Sequence, residues 1–124
     1  MLLHEDCPFC KIDDTVLSNE RAFAIFDRDP VTPGHMLIIA RRHVADWFDA
    51  TAYDKHAMLS LAEAAREFLV QKVKPEGFNM GVNCGRAAGQ GIFHVHLHLI
   101  PRYSGDVEDP LGGVRGVIPA RQKY

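Results

Sequence analysis

With 124 residues, of which 47% are hydrophobic, the chain is long enough for one domain with its own core. A net charge of −2, a sequence pI near 6.4 and no basic run longer than Arg41-Arg42 argue against a nucleic-acid-binding protein. The apolar stretches fall short of the ~20 residues of a membrane helix, and the N-terminal segment lacks the features of a secretory signal. We therefore expect a cytoplasmic, single-domain protein over residues 1–124. Its three cysteines should be reduced and are too few for a disulfide framework.

The first half of the chain predicts three β-strands separated by turn signals. Residues 15–20 and 22–27 have the composition of two strands, and Asn19-Glu20-Arg21 favours a tight hairpin between them. In the loop over residues 29–34, prolines fix φ and a glycine supplies conformational freedom. The third strand, over residues 35–40, is apolar enough to lie centrally in a sheet.

One long helix is predicted to begin at Thr51. Thr51 is a preferred N-cap residue, and Asp54 resembles the acidic partner of a capping box. Pro75 and Gly77 predict the end of the helix. Apolar residues at three- and four-residue spacing mark its buried face: Met58, Leu61, Ala65, Phe68 and Leu69.

Two further strands are predicted, over residues 77–83 and 93–101, with a glycine-rich loop over residues 84–91 between them. The tail over residues 102–124 is expected to cover surface or to meet a partner chain. Strands joined mostly by short connections, with one long helix and a short one, predict an α+β domain.

The alternating run from His94 to Leu99 is the most informative pattern in the chain. Successive strand side chains point to opposite faces, so His94, His96 and His98 are predicted on one face and the aliphatic residues on the other. A hydrogen-bonded polar face is one interpretation. Three imidazoles at alternate positions favour a metal site or catalysis instead.

The loop before this strand favours catalysis. Its glycines, Gly85, Gly89 and Gly91, allow backbone to approach a ligand closely, and consecutive N–H groups can form an anion nest. Asn83 and Gln90 add amide donors. Such donors beside an imidazole predict a nucleophile that acts at an anionic centre.

The run Gly89-Gln90-Gly91-Ile-Phe-His94-Val-His96-Leu-His98 resembles the histidine triad (HIT) nucleotide hydrolases and transferases, in particular the Hint-like branch. The similarity spans nearly all the chain from Cys7 to Arg102. It implies an α+β HIT fold with a five-stranded antiparallel sheet, which continues across the subunit boundary of a homodimer. The third histidine, where the uridylyltransferase branch has Gln, argues against that branch.

The resemblance implies that His96 attacks the α-phosphorus of a nucleotide and forms a nucleotidyl-histidine that water hydrolyses. An unprotonated imidazole is a competent nucleophile at neutral pH, and its other nitrogen must be held by an acceptor, for which the family uses a backbone carbonyl. His98 would bind phosphate oxygens together with loop N–H groups. The remaining implied contacts are ribose hydroxyls on Asp27, a purine slot of Phe9, Ile12, Ile25 and Leu37, and polar contacts from Asn83, Gly89 and Gly91.

Gly91 departs from the pattern of many Hint-like members, which carry a Ser or Thr whose hydroxyl helps the leaving group. The leaving-group proton is therefore expected from water, Gln90 or His98. A second departure is the short stretch Asp13-Asp14, where relatives have several more residues near the base.

Cys7 and Cys10 have the two-residue gap of a zinc knuckle. A pair of thiols is not a complete site, but the resemblance implies that His43 and His94 complete a closed, structural zinc site. Two free cysteines are the alternative interpretation. We expect His35 to support the site strands, His4 and His56 to be solvated, and Cys84 to be a small buried residue.

The predicted function is hydrolysis of an adenylyl or guanylyl compound, such as a nucleoside phosphoramidate or an acyl-nucleotide. The alternative within enzymes is a dinucleoside polyphosphate hydrolase of the Fhit-like branch. Two rivals belong to other classes: a metal hydrolase in which His94, His96 and His98 bind a catalytic ion, and a non-catalytic nucleotide-binding protein.

Overall fold

In a computed structural model that describes residues 6–124, five strands form one antiparallel sheet. The expectation for His4 lies outside the described residues. The sheet confirms the predicted α+β fold. Its spatial order is β1-β2-β3-β5-β4, with bounds β1 Leu17–Ser18, β2 Ala22–Phe26, β3 Met36–Ala40, β4 Gly77–Gly81 and β5 His96–Arg102.

The helix α1 (Ala52–Lys72) begins as predicted, with the Thr51 side chain accepting a hydrogen bond from the N–H of Asp54 at 3.1 Å. The Asp54 carboxylate is fully buried and forms ion pairs with Arg21 and Arg42 at 3.2 and 3.0 Å. Burial alone would raise the pKa of Asp54, but hydrogen bonds with Thr51, Arg21 and Arg42 outweigh it and hold the pKa below its ordinary value. The first turn of α1 is thereby fixed against the strands.

The predicted short helix is present only as short 3₁₀ helices among the described residues: Pro8–Lys11, Trp47–Asp49, Arg86–Ala88, Gly113–Val117 and Pro119–Arg121. No helix in the described range combines the length and the apolarity needed to cross a bilayer.

The two faces of the sheet carry different clusters. One face packs against α1 through the main core, which includes Ala24, Ile38, Leu97, Leu99, Met58 and Leu61. The other face carries a smaller cluster of Cys7, Phe9, Phe23, Leu37 and Ile39. Leu37 pairs with His98 and Ile39 pairs with His96 across β3 and β5, so these histidines lie on the face of the smaller cluster.

The strand that carries the histidines begins later than predicted, at His96 rather than at residue 93. The N–H of Val95 donates to the carbonyl of Val44, at 2.8 Å, so this residue bonds to the segment after β3 and not to the sheet. Val95, Leu97 and Leu99 are nevertheless buried in the main core, as the alternation predicts. Because β5 begins at His96, His94 lies outside the strand.

The tail is anchored on the end of β5. The Arg102 guanidinium makes two hydrogen bonds to the Asp106 carboxylate, each 2.7 Å long, and a third to Asn79 of β4. Beyond this anchor the tail exposes several large apolar side chains, namely Val107, Leu111, Val114, Val117, Ile118 and Tyr124.

Candidate active site

A cavity of about 490 Å³ lies over β5, on the face of the sheet that carries the smaller cluster. The structure brings nearly all the predicted catalytic and nucleotide-binding residues to its wall: Phe9, Ile12, Ile25, Asp27, Leu37, Asn83, Gly89, Gly91, His96 and His98. Pro8, Arg28, Asp29 and Ile92 complete the lining. The lining therefore combines apolar side chains with the two histidines and the glycine loop.

His96 is held by a backbone carbonyl. Its Nδ1 lies 2.8 Å from the carbonyl oxygen of His94, and only 8% of the residue is exposed. Because a carbonyl oxygen only accepts, Nδ1 carries the proton and Nε2 keeps its lone pair. The Phe9 ring packs edge-on against the imidazole, with centroids 5.0 Å apart, and limits its rotation. The neutral form of His96 thus has the tautomer that a nucleophile needs.

A chain of two further hydrogen bonds fixes the tautomer of His98. The N–H of Val31 donates to His35 Nδ1 at 3.0 Å, which leaves the proton of His35 on Nε2. His35 Nε2 lies 3.0 Å from His98 Nδ1 and 3.5 Å from the Asp27 carboxylate. Since His98 Nδ1 accepts from His35, the proton of His98 is on Nε2. That N–H is available to an anionic ligand.

Both imidazoles of this chain are neutral near pH 7. Burial lowers the pKa of His98 to about 4, and the neighbouring His96 and His35 rings, which disfavour a positive charge on His98, add to the effect. Burial also lowers the pKa of His35, against the opposing charge of Asp27. A neutral His98 can donate a hydrogen bond to an anionic ligand without placing a positive charge beside the nucleophile.

The glycine loop is held from inside by Gln90, which the structure does not bring to the cavity wall. Its side chain accepts from the N–H of Gly85 at 2.9 Å and donates to the carbonyls of Ala45 and Ile92. The residue is 5% exposed. An amide engaged in this way positions the loop, and the predicted role of Gln90 at the leaving group stays a prediction.

Fewer N–H groups of the glycine loop are available to an anion than the sequence predicts. The N–H groups of Ala88, Gly89 and Gln90 donate to carbonyls inside the loop. Gly91 follows them at the cavity wall, where a β-carbon would meet no atom within 4 Å. The open space beside this residue leaves room for the phosphate end of a ligand.

A second cluster, separate from the cavity, has the donor set of a zinc site. Cys7, Cys10, His43 and His94 each offer one ligand atom, and these atoms lie within 4.8 Å of one another. Cys7 Sγ is 3.3 Å from His94 Nδ1, and Cys10 Sγ is 3.3 Å from His43 Nδ1. Tetrahedral zinc, with Zn–S of about 2.3 Å and Zn–N of about 2.0 Å, places such atoms ~3.5 Å apart. The four residues therefore fit a metal ion.

The tautomer of His94 also suits a metal ligand. Its Nε2 lies 2.6 Å from the carbonyl oxygen of Ala40, so Nε2 carries the proton and Nδ1 turns its lone pair to the cysteines. His94 is completely buried and does not line the cavity. The predicted face of three histidines is thus divided between two sites.

His35 supports the site as expected, by hydrogen-bonding His98, whereas Cys84 is less buried than expected. Asp27, His35 and His98 form a second group close enough to hold a metal, but its 3.0 Å nitrogen–nitrogen distance and the donation from Val31 are those of the hydrogen-bond chain. The sequence signal for His35 was its place after Pro33-Gly34, which does not reveal a tautomer. His56 is exposed as expected, whereas Cys84 is only half-buried.

A larger cleft, of about 960 Å³, lies between the tail and the sheet. Its wall includes Arg102, Asp106, Glu108 and Lys123 but neither histidine nor cysteine. The chemistry of the side chains therefore identifies the smaller cavity as the candidate active site.

Known proteins are similar to this chain in sequence and in fold. The 30% identical zinc-bound histidine triad family protein of Mycobacterium smegmatis superimposes with a TM-score of 0.76, covering 84% of this chain and 80% of that one. A relative named adenylylsulfatase HINT3, from Arabidopsis thaliana, is 34% identical over 84% of this chain and 56% of its own length. A Mycobacterium tuberculosis relative named AP-4-A phosphorylase is 30% identical over 84% of this chain and 54% of its own length.

The family model described as HIT domain matches residues 11–105. This match covers β1 to β5, the glycine loop and both histidines of the cavity. The chain belongs to the HIT family.

Proposed function

We propose that the protein hydrolyses nucleotide derivatives at the α-phosphate, with a nucleoside phosphoramidate or an acyl-nucleotide as substrate. The observation that carries this proposal is the hydrogen bond from His96 Nδ1 to the carbonyl of His94, which leaves the Nε2 lone pair of a cavity-lining imidazole for attack. The apolar side chains of the lining suit a purine, and the Asp27 carboxylate suits the ribose hydroxyls.

The proposed reaction has two displacements at phosphorus. His96 Nε2 forms a bond to the α-phosphorus while the bond to the leaving group breaks, and the leaving group takes the electron pair. The leaving group takes its proton from water, because the neutral His98 only donates a hydrogen bond and Gln90 is engaged in the loop. Water then attacks the nucleotidyl-His96 and releases a nucleoside monophosphate. Donation from His98 and from the N–H of Gly91 stabilises charge on the phosphate oxygens.

We propose a structural role for zinc at Cys7, Cys10, His43 and His94. When bound, the metal would link Cys7 and Cys10 near the N-terminus to His43, which follows β3, and to His94, which precedes β5. All four ligand positions are filled by protein, which is typical of structural sites. His94 then holds its carbonyl in place for His96, so the cluster positions the nucleophile without contacting substrate. Reduced cysteine ligands suit a cytoplasmic location, which we also propose.

We further propose a homodimer in which the sheet continues from one protomer to the other. β4 is a five-residue edge strand whose outer side is unpaired in the monomer, and Met80 on it is 46% exposed. Unpaired strand edges favour pairing with a second chain. Sedimentation velocity should give a dimer for the wild type and a monomer for Met80→Lys, because a charge on an edge strand opposes such pairing. A wild-type monomer would contradict the proposal.

The relative named adenylylsulfatase supports an adenylyl compound as substrate, whereas the relative named AP-4-A phosphorylase supports the alternative of a dinucleoside polyphosphate. A direct test compares kcat/KM for guanosine and adenosine 5′-phosphoramidates with kcat/KM for a dinucleoside triphosphate. We expect the phosphoramidates to be the better substrates. The reverse order would move the protein to the Fhit-like branch, and binding without turnover of either class would make it a nucleotide-binding protein.

A further inference from the structure

Two neighbouring charged side chains at the cavity, those of Arg28 and Asp29, have no partner among residues 6–124. Arg28 lines the wall, yet within residues 6–124 its guanidinium has no hydrogen bond, ion pair or ring contact. Other arginines, by contrast, are held by carboxylates: Arg21, Arg42, Arg66 and Arg102. A guanidinium has five N–H donors in a planar fork, so an unpartnered one at a binding cavity is suited to a ligand with paired acceptors.

Arg28 lies beyond the end of β2, away from the row of the sheet in which Phe23, Ile39 and His96 pair. Contacts lead there step by step, from His98 to His35 at 3.0 Å and from His35 to Asp27 at 3.5 Å. The N–H of Asp29 then donates to Asp27 Oδ1 at 2.9 Å, a tight local turn. Both Arg28 and Asp29 consequently line the cavity, although they are neighbours in sequence.

The carboxylates beside Arg28 disfavour a second anionic group of the ligand at this place. Asp27 and Asp29 flank Arg28, so a phosphate or sulfate bound there would face two carboxylates for one guanidinium. A neutral base edge with both acceptors and donors has no such repulsion. Ile12 and Ile25 supply the apolar contact that the faces of such a base require.

We propose that Arg28 and Asp29 read the edge of the base and select guanine over adenine. Arg28 donates two hydrogen bonds to the guanine O6 and N7, a bidentate pairing for which arginine is well suited. Asp29 accepts from the guanine N1–H and N2–H₂. Adenine has an amino donor in place of O6 and an acceptor at N1, so it cannot satisfy both side chains in this way. The inference rests on the proposed function, because it takes the cavity to be a nucleotide site.

Mononucleotide binding separates this inference from the proposed function. Isothermal titration calorimetry with GMP and AMP on the wild-type protein should give about tenfold tighter binding of GMP, the size of one good bidentate pair. Equal affinities, or tighter binding of AMP, would overturn the selection while leaving the nucleotide site intact. Binding of neither mononucleotide would overturn the proposed function and this inference together.

Two variants test whether Arg28 and Asp29 select guanine over adenine. Arg28→Gln and Asp29→Asn should each bring the GMP-to-AMP affinity ratio close to one, with the same change in the kcat/KM ratio of the two nucleoside phosphoramidates. Arg121→Gln, a matched charge removal in the exposed tail, should leave the ratio unchanged. If Arg28→Gln weakens both mononucleotides by the same factor, Arg28 contributes general charge attraction and the inference is wrong.

Discussion

His94 and His96 are two residues apart, and the structure gives them opposite tautomers. In His94 the Ala40 carbonyl takes the Nε2 proton and leaves Nδ1 for the cysteine cluster. In His96 the His94 carbonyl takes the Nδ1 proton and leaves Nε2 for the cavity. The Ala40 carbonyl thus leaves His94 with the tautomer that suits a metal ligand, and the His94 carbonyl leaves His96 with the tautomer that suits the proposed nucleophile. The pattern of alternating histidines does not distinguish these roles, since they depend on which ring nitrogen meets a carbonyl.

The two sites are nevertheless linked through one residue. The ring of His94 belongs to the metal cluster, while its carbonyl oxygen holds His96 at 2.8 Å. We infer that the cluster governs stability and the cavity governs chemistry, and four perturbations test that division.

The largest effect is expected at the cluster. Removing zinc with a chelator, or replacing Cys10 by Ser, should lower the free energy of unfolding by about 4 kcal/mol, the value for a ligand at a thousand times its Kd. Urea denaturation with a parallel zinc determination measures this. Turnover by the folded fraction should survive chelation.

Cys84→Ser is the matched control, because this half-buried thiol lies outside the cluster, and it should retain full zinc content. Immediate loss of turnover on chelation, in a protein that is still folded, would instead indicate a catalytic metal and would contradict the division.

The next effect is expected at Gln90, whose side chain holds the glycine loop in place. Gln90→Leu leaves the Gly85 N–H and the carbonyls of Ala45 and Ile92 without their side-chain partner, which should cost about 1–3 kcal/mol of stability. KM should rise more than kcat falls, because the loop loses its shape rather than a reacting group. A large loss of kcat with unchanged stability would support Gln90 as a catalytic residue.

A smaller effect concerns pH. The pKa of His98 is lowered to about 4 in the folded protein because the ring is buried, whereas an unfolded histidine titrates near 6.5. Between these values the unfolded chain binds the extra proton, so stability falls as the pH is lowered from about 6.5 towards 4. His98→Gln should flatten this slope, measured by urea denaturation at pH 7 and pH 5. An unchanged slope would show that His98 is not held neutral.

The smallest effect is a gain of activity. No atom lies within 4 Å of a β-carbon at Gly91, so Gly91→Ser can add a hydroxyl beside the phosphate end of the cavity without a clash. Turnover should rise about threefold, the size of one weak neutral hydrogen bond to the leaving group. Gly91→Ala is the control and should not gain. Equal rates for Ser and Ala would remove the hydroxyl from the mechanism.

Much of this fold and site is predictable from the sequence because it depends on local spacing. Alternation places His96 and His98 on one face with Leu97 and Leu99 on the other, and the N-cap at Thr51 begins α1. The residues that line the cavity were implied by the resemblance to the HIT family and not by local spacing, because they come from distant segments.

What the sequence could not predict depends on contacts between distant segments. The bond from Val95 to Val44 shortens β5, and the Ala40 carbonyl sets the tautomer of His94 from 54 positions away. Gln90 lies between two cavity-lining glycines, and nothing in its spacing shows that its amide turns inward to Ala45. Tautomers and inward-facing amides require coordinates.

The most direct test of the account is to look for the bond at His96 Nε2. Rapid quenching of a reaction with a nucleoside phosphoramidate, followed by intact-protein and peptide mass spectrometry, should find one nucleotidyl group on the peptide that contains His96. The adduct should be absent from His96→Ala and retained in His98→Gln. An adduct on another residue, or turnover by His96→Ala at the wild-type rate, would contradict the account.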